Sequence, residues 1–152
     1  MLTSRLKYAT LLLAMLSLPA QAAQESWAQV IQQEAKRAGF GHWRIVYAYC
    51  QLESGLDDRQ DYSAGGMRAL GACSVQRDSY PQFSVGQLKA RRLNVYLTAL
   101  EFKARWTGEP LTTAREVFLP AWGRKFEGPR GGYPSSRAYV ARIRGYLLRL
   151  RP

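Results

Sequence analysis

The sequence predicts a mainly helical protein with a single core, and three observations point to that class. Apolar residues recur at the three- and four-residue spacing of helices along most of the chain. Glycines and prolines close most of these stretches. Setting aside a leading segment of two dozen residues leaves about 130, which suits one domain. No internal repeat, low-complexity tract or domain linker interrupts them.

The leading segment has the order of an export signal. Arg5 and Lys7 form a short basic start, residues 11–18 (LLLAMLSL) are apolar, and Pro19 precedes the small-residue stretch Ala20-Gln21-Ala22-Ala23. Cleavage is expected after Ala22 or Ala23. A membrane anchor needs about 20 apolar residues, and this run is much shorter. No cysteine lies near the cleavage site, so a lipid-attached form is not indicated. The expectation is a signal at residues 1–23 and a periplasmic or secreted domain at residues 24–152. No second long apolar run follows, so no stable membrane insertion is expected after cleavage.

Within the mature part, Ser26 is placed to cap a first helix in which Trp27, Val30, Ile31, Ala35 and Ala38 share a face. Gly39 and Gly41 end it. The spacing predicts a second helix over 43–54, with Ile45, Val46, Tyr49 and Leu52 as core candidates and Gly55 as its stop. Residues 56–69 lack a period and read as a long loop, and a third helical stretch begins near Leu70. The strongest helix is expected over 85–106, on the stripe Leu88, Leu93, Tyr96, Leu97, Leu100 and Phe102. Thr112 or Thr113 caps a short helix ending before Pro120. A second loop covers 123–134. Ser135 or Ser136 then opens a last helix to about Leu150, with Tyr139, Ile143, Leu147 and Leu150 toward the core.

The formal charge is +11, of which the signal supplies Arg5 and Lys7, leaving about +9 on the mature chain. Such a surface attracts nucleic acid, anionic lipid or acidic wall polymers. Outside the cytoplasm nucleic acid is the least expected partner. The arginines of the last helix (Arg137, Arg142, Arg144, Arg149 and Arg151) read as a solvated face, because no aromatics are interleaved with them as a stacking platform. Cys50 and Cys73 are expected to form one disulfide in an oxidising compartment, the alternative being two buried thiols. His42 is the sole histidine and nothing supplies four soft ligands, so neither a metal nor another cofactor is expected.

The segment that carries chemistry is Tyr49-Cys50-Gln51-Leu52-Glu53-Ser54-Gly55. Glu53 falls at the carboxyl end of a helix whose core face is apolar. Partial burial and the negative end of the helix dipole both disfavour its charge and raise its pKa. A general acid working near neutral pH needs that shift. A solvated glutamate at a helix end is the plain alternative.

With these residues the chain resembles lytic transglycosylases of the lysozyme-like superfamily, especially small members that accompany secretion and conjugation machines. Leu52-Glu53-Ser54-Gly55 is similar to the family's helix end, whose glutamate is the catalytic acid and base. Ser63-Ala64-Gly65-Gly66 resembles the Ser-x-x-Gly loop that follows, and Gly71-Ala72-Cys73-Ser74-Val75-Gln76 a longer version of its Gly-x-x-Gln turn. Asn94-Val95-Tyr96-Leu97 looks like the start of the next family helix. Ser136-Arg137-Ala138-Tyr139-Val140 looks like the closing helix, whose tyrosine lines the cleft. The likeness spans about residues 26–148. One departure stands out: where the family has Ala-Tyr-Asn-Ala-Gly, this chain has Leu119-Pro120-Ala121-Trp122-Gly123.

The resemblance implies a lysozyme-like helical domain with a substrate cleft, peptidoglycan glycan strands as substrate, and a secretion or conjugation apparatus as a partner. Glu53 would be catalytic, while Ser54, Ser63, Gln76, Trp122 and Tyr139 would contact substrate, Trp122 by stacking on a sugar. Two other readings stay open. A lysozyme-type hydrolase follows if Asp57, Asp58 or Asp61 faces Glu53 across the cleft, although a turn-forming, solvated loop accounts for all three. A non-catalytic wall-binding or assembly factor follows if the missing tyrosine and asparagine matter.

Overall fold

The computed structural model describes residues 25–110 and 136–150. Its first helix, α1 (Trp27–Arg37), starts at a reciprocal cap. The Ser26 hydroxyl accepts the Gln29 amide proton, and the Gln29 side chain accepts the Ser26 N–H at 2.9 Å. It ends in a paired turn: the Phe40 N–H reaches the Ala35 carbonyl and the Gly39 N–H the Lys36 carbonyl. Gly39 supplies the left-handed residue (φ 71°) that this closure requires. Phe40 folds back into the core. Helix α2 (Trp43–Ser54) buries Ile45, Val46, Ala48, Tyr49 and Cys50 and stops at left-handed Gly55.

Beyond α2 the sequence reading needs two corrections. Residues 56–69 are not one loop, and Leu70 does not begin a helix. Strand β1 (Asp61–Ala64) turns through Gly65 and Gly66, both at positive φ, into β2 (Met67–Leu70). Two consecutive positive-φ glycines make the tight hairpin turn that matches strand twist. Strand β3 (Val75–Gln76) adds to β2, pairing Leu70 with Val75 and Ala69 with Gln76. The expected mainly helical class is met in part: the described residues are mostly helical but carry a small three-stranded antiparallel sheet. The strands hold only two to four residues each, too few for a two-residue period to stand out.

A third correction concerns 85–106. Here α3 (Val85–Lys89) and α4 (Arg91–Ala104) are separate, with Ala90 extended between them (ψ 120°). The break is set by Asn94, fully buried on α4. Its side-chain N–H group donates to the Leu88 and Leu70 carbonyls, each at 2.7 Å, and its carbonyl oxygen accepts the Cys73 N–H at 2.8 Å. One side chain thus fixes the end of α3 and the turn at 71–74.

Helix α5 (Ser136–Arg149) packs on α2 and buries Tyr139 and Ile143. Tyr146 and Leu147 pack at the core margin, while Arg142, Arg144 and Arg149 are exposed. The main core joins α1, α2, α4 and α5 around Ile31, Val46, Phe102 and Tyr139, and the Cys50–Cys73 disulfide lies inside it. A smaller core of Leu70, Val75, Leu88 and Leu97 seats the sheet on α3 and α4. Arg92 adds a polar clamp between α4 and α1, bonding Glu25, Gln33 and the buried Glu34. The signal segment, the short helix after Thr112, the loop at 123–134 and Trp122 lie outside the described residues.

Candidate active site

The site is assembled where the end of α2 meets the turn at 71–74 and the first turns of α5. Glu53 occupies the last turn of α2, half-buried. The phenol of Tyr139, itself fully buried on α5, donates to Glu53 Oε1 at 2.8 Å across 86 residues of sequence. The Ser74 side chain also acts on the Glu53 carboxylate. Burial raises the Glu53 pKa from 4.5 to about 7, against the two hydroxyls, which favour the charged form and lower it. Desolvation is therefore the larger effect. At neutral pH both protonation states are populated, as a group that must give and then take a proton requires.

Tyr49 lies one helical turn before Glu53 and packs edge-on against Phe102 at 5.3 Å between ring centroids. Burial, then the charges of Glu53 and Glu101, raise its own pKa well above the usual value, so it stays a neutral phenol. Glu101 is engaged elsewhere, accepting from the Tyr80 hydroxyl at 2.8 Å and pairing with Arg105 at 2.7 Å.

The three aspartates of the 56–61 segment are each occupied by cations. Asp57 accepts from the Arg59 backbone and side chain, which hold its pKa low. Asp58 pairs with Arg91 at 2.9 Å. Asp61 takes a two-pronged contact from Arg68 and another from Lys89, and these hydrogen bonds pull its pKa down. Among the described residues, then, Glu53 is a carboxylate that burial, against its contacts, shifts toward a protonated form near neutrality. No group of three or more metal-ligating side chains occurs among the described residues.

The residues singled out from sequence separate clearly. Glu53 and Tyr139 meet directly, and Cys50–Cys73 is bonded with its Cα atoms 4.1 Å apart. Ser54 has a bracing position: its hydroxyl donates to the Ala72 carbonyl at 2.6 Å and accepts the Asp57 N–H at 3.0 Å. Ser63 stands exposed on β1, opposite Arg68. Gln76 sits on β3 with its side-chain nitrogen buried and without a hydrogen-bond partner. Sequence reasoning missed Ser74. It lies in the 71–76 stretch, two residues before Gln76. The four-residue offset of Tyr49 from Glu53 is a readable signal that the two share a helix face.

No family model, curated protein or solved structure matches this chain.

Proposed function

We propose that this protein is an exported lytic transglycosylase with a lysozyme-like domain, cleaving the β-1,4 bond between N-acetylmuramic acid and N-acetylglucosamine in peptidoglycan. The observation that carries the reading is the single carboxylate Glu53, half-buried, shifted to about 7 and held by the Tyr139 phenol. A transglycosylase needs one carboxylate in two roles, where the usual glycosidase needs two carboxylates.

In this mechanism protonated Glu53 gives its proton to the leaving glycosidic oxygen. The substrate's own N-acetyl group stabilises the oxocarbenium-like centre. Glu53, now charged and favoured by the Tyr139 and Ser74 hydroxyls, removes the proton of the C6 hydroxyl. That oxygen attacks internally and leaves a 1,6-anhydro end. The near-neutral pKa keeps both halves of the cycle accessible.

The setting supports an extracytoplasmic place of work. A core disulfide suits an oxidising compartment, and no described helix is long and apolar enough to cross a membrane. A secretion or conjugation apparatus is the partner this reading adds.

The test is release of soluble muropeptides from purified sacculi by the wild type and by Glu53→Gln. Loss of release in the variant by at least 100-fold is expected, within the range of a lost acid–base catalyst. Binding to sacculi with no release by the wild type would instead indicate a wall-binding factor that keeps the fold.

A further inference from the structure

A second concavity opens where the chain turns from α1 into α2. It holds about 390 Å³ and is lined by Gln32, Lys36, Gly39, Phe40, Gly41 and Trp43, a size and a mix of aromatic and polar groups that suit a small ligand. Its shape follows from the turn. Gly39 takes the left-handed φ of 71° that closes α1, and a Cβ there would lie 2.8 Å from Lys103 Nζ. Gly41 adds no side chain, and a Cβ there would meet nothing within 4 Å. Phe40 is buried and braced: its ring lies edge-on to Trp106 at 5.4 Å, and His42 stacks on Trp106 at 4.1 Å. Trp43 opens α2 and Glu53 lies in its last turn, about 15 Å further along the helix axis. The pocket is separate from the acid.

The charge around it has one sign. Lys36 lines the pocket, Lys103 stands beside Gly39 and donates to the Ala38 carbonyl at 3.2 Å, and the Arg44 guanidinium lies 5.6 Å from the centre of a Trp43 ring. No carboxylate is among the lining residues. Elsewhere Arg68, Lys89 and Arg91 hold aspartates and Arg92 holds glutamates. Lys36, Arg44 and Lys103 pair with no carboxylate among the described residues. We infer that this pocket is a second binding site for peptidoglycan and takes a carboxylate carried on an uncharged body. The Lys36 ammonium meets the carboxylate, the Gln32 amide bonds a neighbouring polar group, and Trp43 packs against the body. In peptidoglycan that carboxylate comes from the lactyl group of a peptide-free muramic residue or from the end of a stem peptide. A strand held here presents its other bonds to Glu53 at a raised local concentration. The inference rests on peptidoglycan as the substrate, but its first readout is binding and not cleavage.

The Trp43 indole N–H signal, identified by its loss in Trp43→Phe, reports the pocket by NMR. It is followed in Glu53→Gln protein, which leaves strands uncut, with peptide-free glycan strands and free stem peptide as separate probes. Saturable movement of this signal is expected, and the probe that binds more tightly names the source of the carboxylate. Lys36→Glu should raise that Kd about tenfold or more, the effect of losing one charge-assisted hydrogen bond, while Lys36→Arg should keep it. Gly41→Tyr should weaken binding by filling the pocket. Both positions are exposed and Gly41 is not at positive φ, so denaturation midpoints should stay near wild type. Amidating the carboxylates of the probe should abolish the response. No response to either probe, an unchanged Kd in both Lys36→Glu and Gly41→Tyr, or equal binding of the amidated probe would overturn the site. If Lys36→Glu loses binding while the wild type releases nothing from sacculi, the pocket stands and the transglycosylase reading falls.

Discussion

At the scale of single residues, burial governs the protonation of Glu53. Its folded pKa of about 7 lies above the ordinary 4.5. As pH rises between those values the unfolded chain gives up this proton first, so the folded state loses relative stability through that window. Below about pH 4 both states hold the proton and no difference remains. Glu53→Gln removes the titration. The variant should match wild type near pH 4 and be more stable by roughly 1–3 kcal/mol at about pH 8. Urea denaturation at the two pH values checks this, and a difference independent of pH would contradict the assigned shift. Glu53 was legible in the sequence because an acid closing an apolar helix is a local pattern. Ser74 was not, because its backbone angle and its hydrogen bond with Gln60, 14 residues away, leave no spacing rule.

At the scale of elements, the helices with a continuous apolar stripe were readable. The cap at Ser26, the stop at Gly55 and the closing helix at Ser136–Arg149 all follow from local chemistry. The break at Ala90 was hidden, because neither glycine nor proline marks it and its cause is Asn94, whose bonds reach Leu70 and Cys73 far back in the chain. The hairpin was hidden for another reason: polar, mostly exposed β1 buries no face that would show alternation. Gly71 is where these elements converge. A Cβ there would lie 2.5 Å from Asn94 Nδ2 and 3.2 Å from the Leu88 carbonyl, at a φ of 70°. Gly71→Ala should therefore cost about 2–3 kcal/mol of stability. A denaturation midpoint equal to wild type would show that the turn is not held as described.

Across the whole molecule, the disulfide links the helix that carries Glu53 to the turn that carries Ser74. Cys50 and Cys73 are 23 residues apart in sequence and both are buried in the main core. Closing a loop of that size stabilises a chain by about 3 kcal/mol on the entropy model. Reduction, or a Cys50→Ala and Cys73→Ala pair, should lower stability by that order and weaken cleavage of sacculi. Equal stability and activity with and without reductant would remove the disulfide from the account. Export and disulfide belong together in this picture, since peptidoglycan and an oxidising environment both lie beyond the cytoplasm. Of the whole arrangement, the sequence made the acid, the disulfide and the tyrosine of the last helix readable. The geometry that joins them depends on contacts across dozens of residues.

The central claim is that Glu53 alone performs both proton transfers. Mass spectrometry of the fragments released from purified sacculi tests it most directly. The account predicts muramic ends of the 1,6-anhydro form, one water lighter than hydrolysed ends, from the wild type, and none from Glu53→Gln. Reducing muramic ends from the wild type, or cleavage that survives in the variant, would contradict it.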